Sequence, residues 1–266
     1  MASRDRWSAI SSEVMSVLVI AGRDSSGGAG VDADLDAARL AGASLRVVVT
    51  AETEQCASGL VELGARAPED WVAEAEAQIE LGVSAIKFGL LPGAEHIEAA
   101  AELISRARLL RPDLAVVVDP VLGPTHGGRF LDDVGVGALL EVLLPTGCVL
   151  TPNLDEAAEL TGRRMEELSN DFGARIEAAE ELLARGARGV VLKGGHSEGP
   201  LLDLVCEEGA EPHWLRFERV PGSLRGTGCR HATLVAWGLG GGERLVQAAS
   251  EAGAQIGSLM RSEGQA

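Results

Sequence analysis

Short apolar runs recur along the chain, and each ends in small or polar residues: 16–22 (SVLVIAG), 45–51 (LRVVVTA), 84–91 (SAIKFGLL), 114–121 (LAVVVDPV), 148–153 (CVLTPN) and 189–195 (GVVLKGG). Successive positions within them are apolar, so both faces of each run are fit for burial, as in strands of a largely parallel sheet. Between them, stretches such as 94–109 and 171–187 carry apolar residues at i, i+3 and i+4. That period predicts helices that cover a sheet through right-handed βαβ crossovers. The segment 201–220 (LLDLVCEEGAEPHWLRFERV) breaks the rhythm, because two alternating runs flank a Glu/Gly/Ala/Glu/Pro turn. It predicts an antiparallel hairpin at a sheet edge. The whole pattern predicts an α/β fold, a three-layer α/β/α sandwich with a mostly parallel central sheet. No internal repeat or linker is visible, so 14–266 reads as a single domain and 1–13 as a disordered N-terminal extension.

Composition narrows the function classes. The chain has 266 residues, 46% of them apolar, and a net charge of −17 without any cluster of Lys and Arg. Phosphate backbones are held by clustered cations, so a nucleic-acid partner is excluded and a small ligand fits better. The acidic residues of 68–80 and 177–181 read as solvated helix faces. No apolar run approaches the roughly 20 residues that cross a bilayer, and no apolar leader precedes residue 13. The expectation is a cytoplasmic protein with no membrane partner. Cys56, Cys148, Cys206 and Cys229 are scattered, which suits reduced thiols better than a zinc site or a disulfide framework.

In open α/β sheets ligands bind beyond the carboxyl ends of the strands. The tail of the first run, GRDSSGGAGVDADL, is a Gly-rich turn feeding a helix, although it matches neither the G-x-G-x-x-G spacing nor a G-K-[ST] loop. It reads either as a ligand loop or as a tight strand-to-helix connection. Lysine is informative: the chain has two, Lys87 and Lys193, against 21 arginines, and both fall near strand ends shortly before glycine. Gly226, Thr227, Gly228 and Cys229 open an apolar helix, so backbone N–H groups and the helix dipole can hold charge on a transferring phosphoryl group. The same dipole predicts a lowered pKa for Cys229 and a role as proton acceptor; the alternative is a small residue packed at a helix start. Asn153 and Glu156, three apart, can turn toward the sheet end and join Asp119 around Mg²⁺. Otherwise Asn153 caps its helix and Glu156 lies in solvent.

Taken in order, AGRDSSGGAGVDADL, IKFGLL, VVVDPVL, LTPNLDEAAEL, VVLKGGH and GTGC resemble the hydroxymethylpyrimidine and phosphomethylpyrimidine kinases of thiamin biosynthesis, within the ribokinase-like superfamily, from about residue 17 to 257. The resemblance implies ATP and Mg²⁺ as cofactors and a homodimer, with the edge hairpin as a candidate interface. It places the pyrimidine on Asp24, Gly28, Gln55 and Leu90. It gives Asp119 and Glu156 to the metal, and Lys193, Gly194, Gly195 and Asn153 to the nucleotide. Gly226, Thr227 and Gly228 become the anion hole, with Cys229 as the base. The chain departs from the family at Arg225, where His is common, at Arg230 and His231 after the Cys, at Asp32, and in the loop HGGRFLDD. Arg225 and Arg230 beside the helix start read either as cations that favour an anionic acceptor or, as is commoner on a surface helix, as solvated side chains. A kinase of a related ring alcohol such as pyridoxal, or a catalytically weakened pyrimidine-binding regulatory protein, are the alternatives.

Overall fold

The structure, a computed structural model, describes residues 15–56, 59–123, 128–195, 201–222 and 224–263, with only the backbone described at 55, 56 and 59–61. Residues 1–13, expected to be disordered, lie outside the described residues. The strands are β1 (Ser16–Asp24), β2 (Ser44–Cys56), β3 (Gly59–Ala65), β4 (Ala85–Phe88), β5 (Ala115–Val118), β6 (Val149–Leu150), β7 (Gly189–Leu192), β8 (Leu201–Glu207) and β9 (His213–Phe217). The helices are α1 (Gly30–Ala41), α2 (Pro68–Glu80), α3 (Ala94–Leu110), α4 (Asp133–Ala138), α5 (Leu154–Thr161), α6 (Met165–Asn170), α7 (Phe172–Ala184), α8 (Thr227–Gly240) and α9 (Leu245–Glu263). The strands form one nine-stranded sheet in the order β3-β2-β1-β4-β5-β6-β7-β8-β9.

The apolar runs are strands because each face of the sheet has its own core. Leu18, Ile20, Ile86, Phe88, Val116 and Val118 point toward α2, α3, α5 and α7 around the buried Trp71. Their neighbours Val17, Val19, Ala21, Ala85 and Val117 point the other way, toward α1, α8 and α9. A fully buried Leu or Ile is worth about 1.5–3 kcal/mol of transfer free energy, so neither layer of helices can be shed cheaply. β1, β4, β5, β6 and β7 pair in parallel, as expected. The hairpin of β8 and β9 closes one edge in antiparallel fashion.

The opposite edge differs from expectation. The second strand does not end near residue 51 but runs to Cys56 and pairs antiparallel with β3, with Thr53 opposite Leu63 and Glu54 opposite Glu62. Exposed carboxylates alternating with apolar residues on a sheet edge read as a loop when only apolar runs are sought.

β1 has β2 on one side and β4 on the other, and both pairings are parallel. The chain leaves β1 for β2 on one side and returns from β3 to β4 on the other, and this reversal opens a crevice beyond the carboxyl ends of β1 and β4.

Candidate active site

At that crevice the tail of β1 meets the first turn of α8. Asp24, buried at the end of β1, accepts hydrogen bonds from the Ser26 backbone N–H (3.1 Å), the Ser26 hydroxyl (2.7 Å) and the Arg225 guanidinium (2.8 Å). Arg225 also donates to the Ser26 hydroxyl at 2.8 Å. Gly226 adopts φ +71, and a Cβ there would lie 2.7 Å from the Gly28 carbonyl oxygen and 2.8 Å from Ala33 Cβ. Only glycine permits both the left-handed conformation and that approach. Gly30 is constrained in the same way, since a side chain would run into the Gly22 carbonyl.

The ladder of α8 begins where the Arg230 N–H bonds the Gly226 carbonyl at 3.0 Å, and no side chain caps the helix start. The N–H groups of Thr227, Gly228 and Cys229 thus precede the helical ladder and can point at an anion. Beneath them, a Cβ on Gly228 would sit 3.2 Å from Lys193 Nζ and 3.7 Å from Asp119 Oδ2. The expected anion hole, lysine and acid therefore lie together. Asp119, on the tail of β5, accepts from Lys193 Nζ at 3.0 Å and from the Thr151 hydroxyl at 3.3 Å. Although burial opposes its charge, Lys193 and Lys87 hold the Asp119 carboxyl below the usual carboxylate range. Burial likewise opposes the charge on Lys193, and Asp119 and Glu156 hold its pKa above the ordinary value.

Asn153 and Glu156 form a capping box: the Glu156 N–H donates to Asn153 Oδ1 at 2.8 Å, and the Asn153 N–H to Glu156 Oε2 at 2.7 Å. Asn153 thus spends its side-chain oxygen on α5. Glu156 nonetheless lies in the field of Lys193 and Asp119, and burial pushes its carboxyl up to about 8. Among the described residues no three His, Cys, Asp or Glu side chains gather as metal ligands. Two carboxylates fit the way Mg²⁺ is held together with nucleotide phosphates and water.

The thiol of Cys229 corrects an expectation. Burial pushes it up to about 12, with Asp119 and Asp34 adding to the rise while Lys87 and the Gly30 backbone pull it down. The helix dipole does not prevail, because the sulfur faces a desolvated floor with two carboxylates close by. Lys87, noted in the sequence but given no role, is fully buried there, with its Nζ 3.0 Å from both carboxylate oxygens of Asp34. Thr233, one turn beyond Cys229, donates to Asp34 at 2.7 Å. Asp34 and Thr233 escaped notice because both sit inside helical patterns.

The other expected residues divide. Leu90 is buried against Ala51 and Phe130, with Leu63 and Val121 beside them, an apolar wall next to the crevice. The side chain of Gln55 lies outside the described residues. Gly194 is turned against β8, where its N–H donates to Asp203 at 2.8 Å and a side chain would run into the Leu202 carbonyl; Gly195 faces open space. Asp203 was not anticipated; burial pushes its carboxyl up to about 6 while the Gly194 N–H pulls it down. Arg230 does not reach the crevice as an anion ligand. It is buried and donates to the Arg225 carbonyl (2.6 Å) and to Asp36 of α1 (3.1 Å). Asp32 stands half-buried in the first turn of α1, and of HGGRFLDD only residues 128–133 are described.

The chain matches the phosphomethylpyrimidine kinase family over residues 24–265. It is 39% identical over 243 residues to the hydroxymethylpyrimidine/phosphomethylpyrimidine kinase of Streptomyces coelicolor, spanning 88% of this chain and 86% of that one. Among solved structures, the phosphomethylpyrimidine kinase of Clostridium difficile superposes with a TM-score of 0.74 at 26% identity, over 92% of this chain and 99% of the other. The pyridoxal kinase of Staphylococcus aureus in complex with pyridoxal superposes with a TM-score of 0.79 at 27% identity, over 94% of this chain and 88% of the other. With its ribokinase-like sandwich, the chain belongs to the phosphomethylpyrimidine kinase family.

Proposed function

We propose that this kinase transfers the γ-phosphoryl group of ATP to hydroxymethylpyrimidine and to its monophosphate, with Asp24, Gly28, Gln55 and Leu90 holding the pyrimidine. The observation that carries the reading is the meeting of the Gly228 backbone with Lys193 and Asp119 beside Cys229, at the point where the first Gly-rich tail ends. Phosphoryl transfer needs positioning and charge stabilisation more than covalent chemistry. The N–H groups opening α8 support the transferring oxygens, and Lys193 with Gly195 faces the nucleotide phosphates. Asp119 and Glu156 would hold Mg²⁺, which when bound neutralises phosphate charge. Burial keeps the Cys229 thiol protonated in the free chain, so it acts as base only after giving up that proton to solvent; the thiolate then takes the hydroxyl proton late, as the bond to phosphorus forms and the hydroxyl becomes acidic. A phosphate acceptor is already anionic and needs little help from a base. We further assign 14–266 to one catalytic unit, acting in the cytoplasm as a homodimer; among the described residues no helix is long and apolar enough to cross a membrane.

A pyridoxal-type kinase is the second reading, favoured by the closer superposition on the pyridoxal kinase, 0.79 against 0.74. The greater sequence identity to the pyrimidine kinases weighs against it. The test is ADP release from Mg·ATP with hydroxymethylpyrimidine, its monophosphate and pyridoxal, in the wild type and in Cys229→Ala. Turnover of the pyrimidines is expected, with the alcohol reaction falling by about 10²-fold or more in the variant and the phosphate reaction far less. Turnover of pyridoxal alone would establish the second reading, and binding without turnover would leave only a pyrimidine-binding protein.

A further inference from the structure

We propose that Arg225 is a specificity-determining residue that favours a phosphomonoester acceptor over the corresponding alcohol. The inference rests on the reading above that the acceptor pyrimidine seats on Asp24.

The backbone of Arg225 is pinned, and its head reaches Asp24 and the Ser26 hydroxyl, each at 2.8 Å. Its carbonyl is held by Arg230 at 2.6 Å, and Arg230 is anchored on Asp36 of α1 at 3.1 Å. The side chain lies over Gly28, where a Cβ would stand 3.4 Å from the guanidinium. Lys87, Lys193 and Arg230 have side chains 14% exposed or less, whereas that of Arg225 is 49% exposed. This exposed head is paired with a side chain that is itself almost entirely buried, Asp24 at 2%.

The pairing sets up a competition. Asp24 Oδ1 accepts from the Ser26 backbone, and Oδ2 from both the Ser26 hydroxyl and Arg225. An acceptor that hydrogen-bonds Asp24 must share or take the oxygen to which the guanidinium donates. An alcohol arm offers the loosened guanidinium nothing in return. A phosphate offers two oxygens in the planar fork that arginine matches, as charge-assisted bonds. Because Arg225 directly precedes Gly226, an arm reaching from Asp24 toward the N–H groups of α8 passes beside its head. Loss of the Asp24 contact is then offset for the monophosphate and not for the alcohol.

The test compares kcat and KM for hydroxymethylpyrimidine and its monophosphate, with calorimetric binding of each, in the wild type, Arg225→Ala, Arg225→Gln and Arg225→Lys. In Arg225→Ala the KM and Kd for the monophosphate are expected to rise about tenfold, one charge-assisted contact's worth, while those for the alcohol stay level or fall. Arg225→Gln, which keeps a donor for Asp24 without the charge, should show the same split even if the alanine variant folds poorly. Arg225→Lys should recover part of the monophosphate affinity. Equal losses for both acceptors in the glutamine and alanine variants would mean a brace only and overturn the inference. A wild type that phosphorylates neither acceptor would overturn the function proposed above and this inference with it. A wild type that uses both, with an unchanged ratio in every variant, would overturn this inference alone.

Discussion

Lys87 and Asp34 form an ion pair with no exposed surface on either side chain, and Asp34 also accepts from the Thr233 hydroxyl. Removing one partner of such a pair strands the other, at about 3–5 kcal/mol, whereas replacing both by apolar groups of similar volume is often neutral. Lys87→Met should therefore lower the urea midpoint sharply, and Lys87→Met combined with Asp34→Leu should restore most of it. His231 is a second buried polar group whose ring nitrogens lack a hydrogen bond of normal geometry among the described residues. Burial, with Lys193 adding to it, lowers its pKa to about 3 from 6.5. The unfolded chain thus binds a proton that the folded one refuses, so this contribution is full above about pH 6.5 and is lost as pH falls toward 3. In His231→Leu, unfolding free energy followed over that acid range should fall less steeply than in the wild type. Cys229 titrates on the other side of neutrality. With its thiol near 12, the thiolate fraction grows throughout the neutral and alkaline range. Under the proposed base role, kcat/KM for the alcohol should climb from about pH 7 to 9, and the climb should be absent in Cys229→Ala.

Among the elements, the added edge strand β3 carries a testable flaw. Glu54 stands opposite Glu62 on the antiparallel pair, and facing like charges weaken a sheet. Glu62→Lys should stabilise the protein by about 0.2–1 kcal/mol in a denaturant titration. The buried strands were legible because two-sided burial leaves unbroken apolar runs, and β3 was not, because a one-sided edge mixes Glu with Leu. The hairpin of β8 and β9 could be read since each of its runs alternates and a turn divides them. The site was legible to the extent that function demands rare residues at strand ends: glycines that side chains would block, and two lysines in an arginine-rich chain. Its wiring was not. Whether Arg230 meets phosphate or Asp36, and whether Cys229 feels a dipole or two carboxylates, depends on contacts between segments nearly 200 residues apart.

Across the molecule, two large cores share one sheet, and among the described residues the acids at its carboxyl end gather in no group of three that would hold a metal unaided. Thermal melts should accordingly show no shift with Mg²⁺ alone at millimolar levels, and a shift with Mg²⁺ and ATP together. Ligand at 100 times its Kd adds about 2.7 kcal/mol. The contacts that complete the crevice reach far along the chain. Asp24 bonds Arg225 across 201 residues, Asp36 bonds Arg230 across 194, and Asp34 bonds Thr233 across 199. On a ribosome delivering the chain from its amino end, the first Gly-rich loop and all nine strands of the sheet precede α8. A chain truncated before α8 therefore keeps the Gly-rich loop and the strands of the sheet and still lacks the helix start that closes the crevice over them.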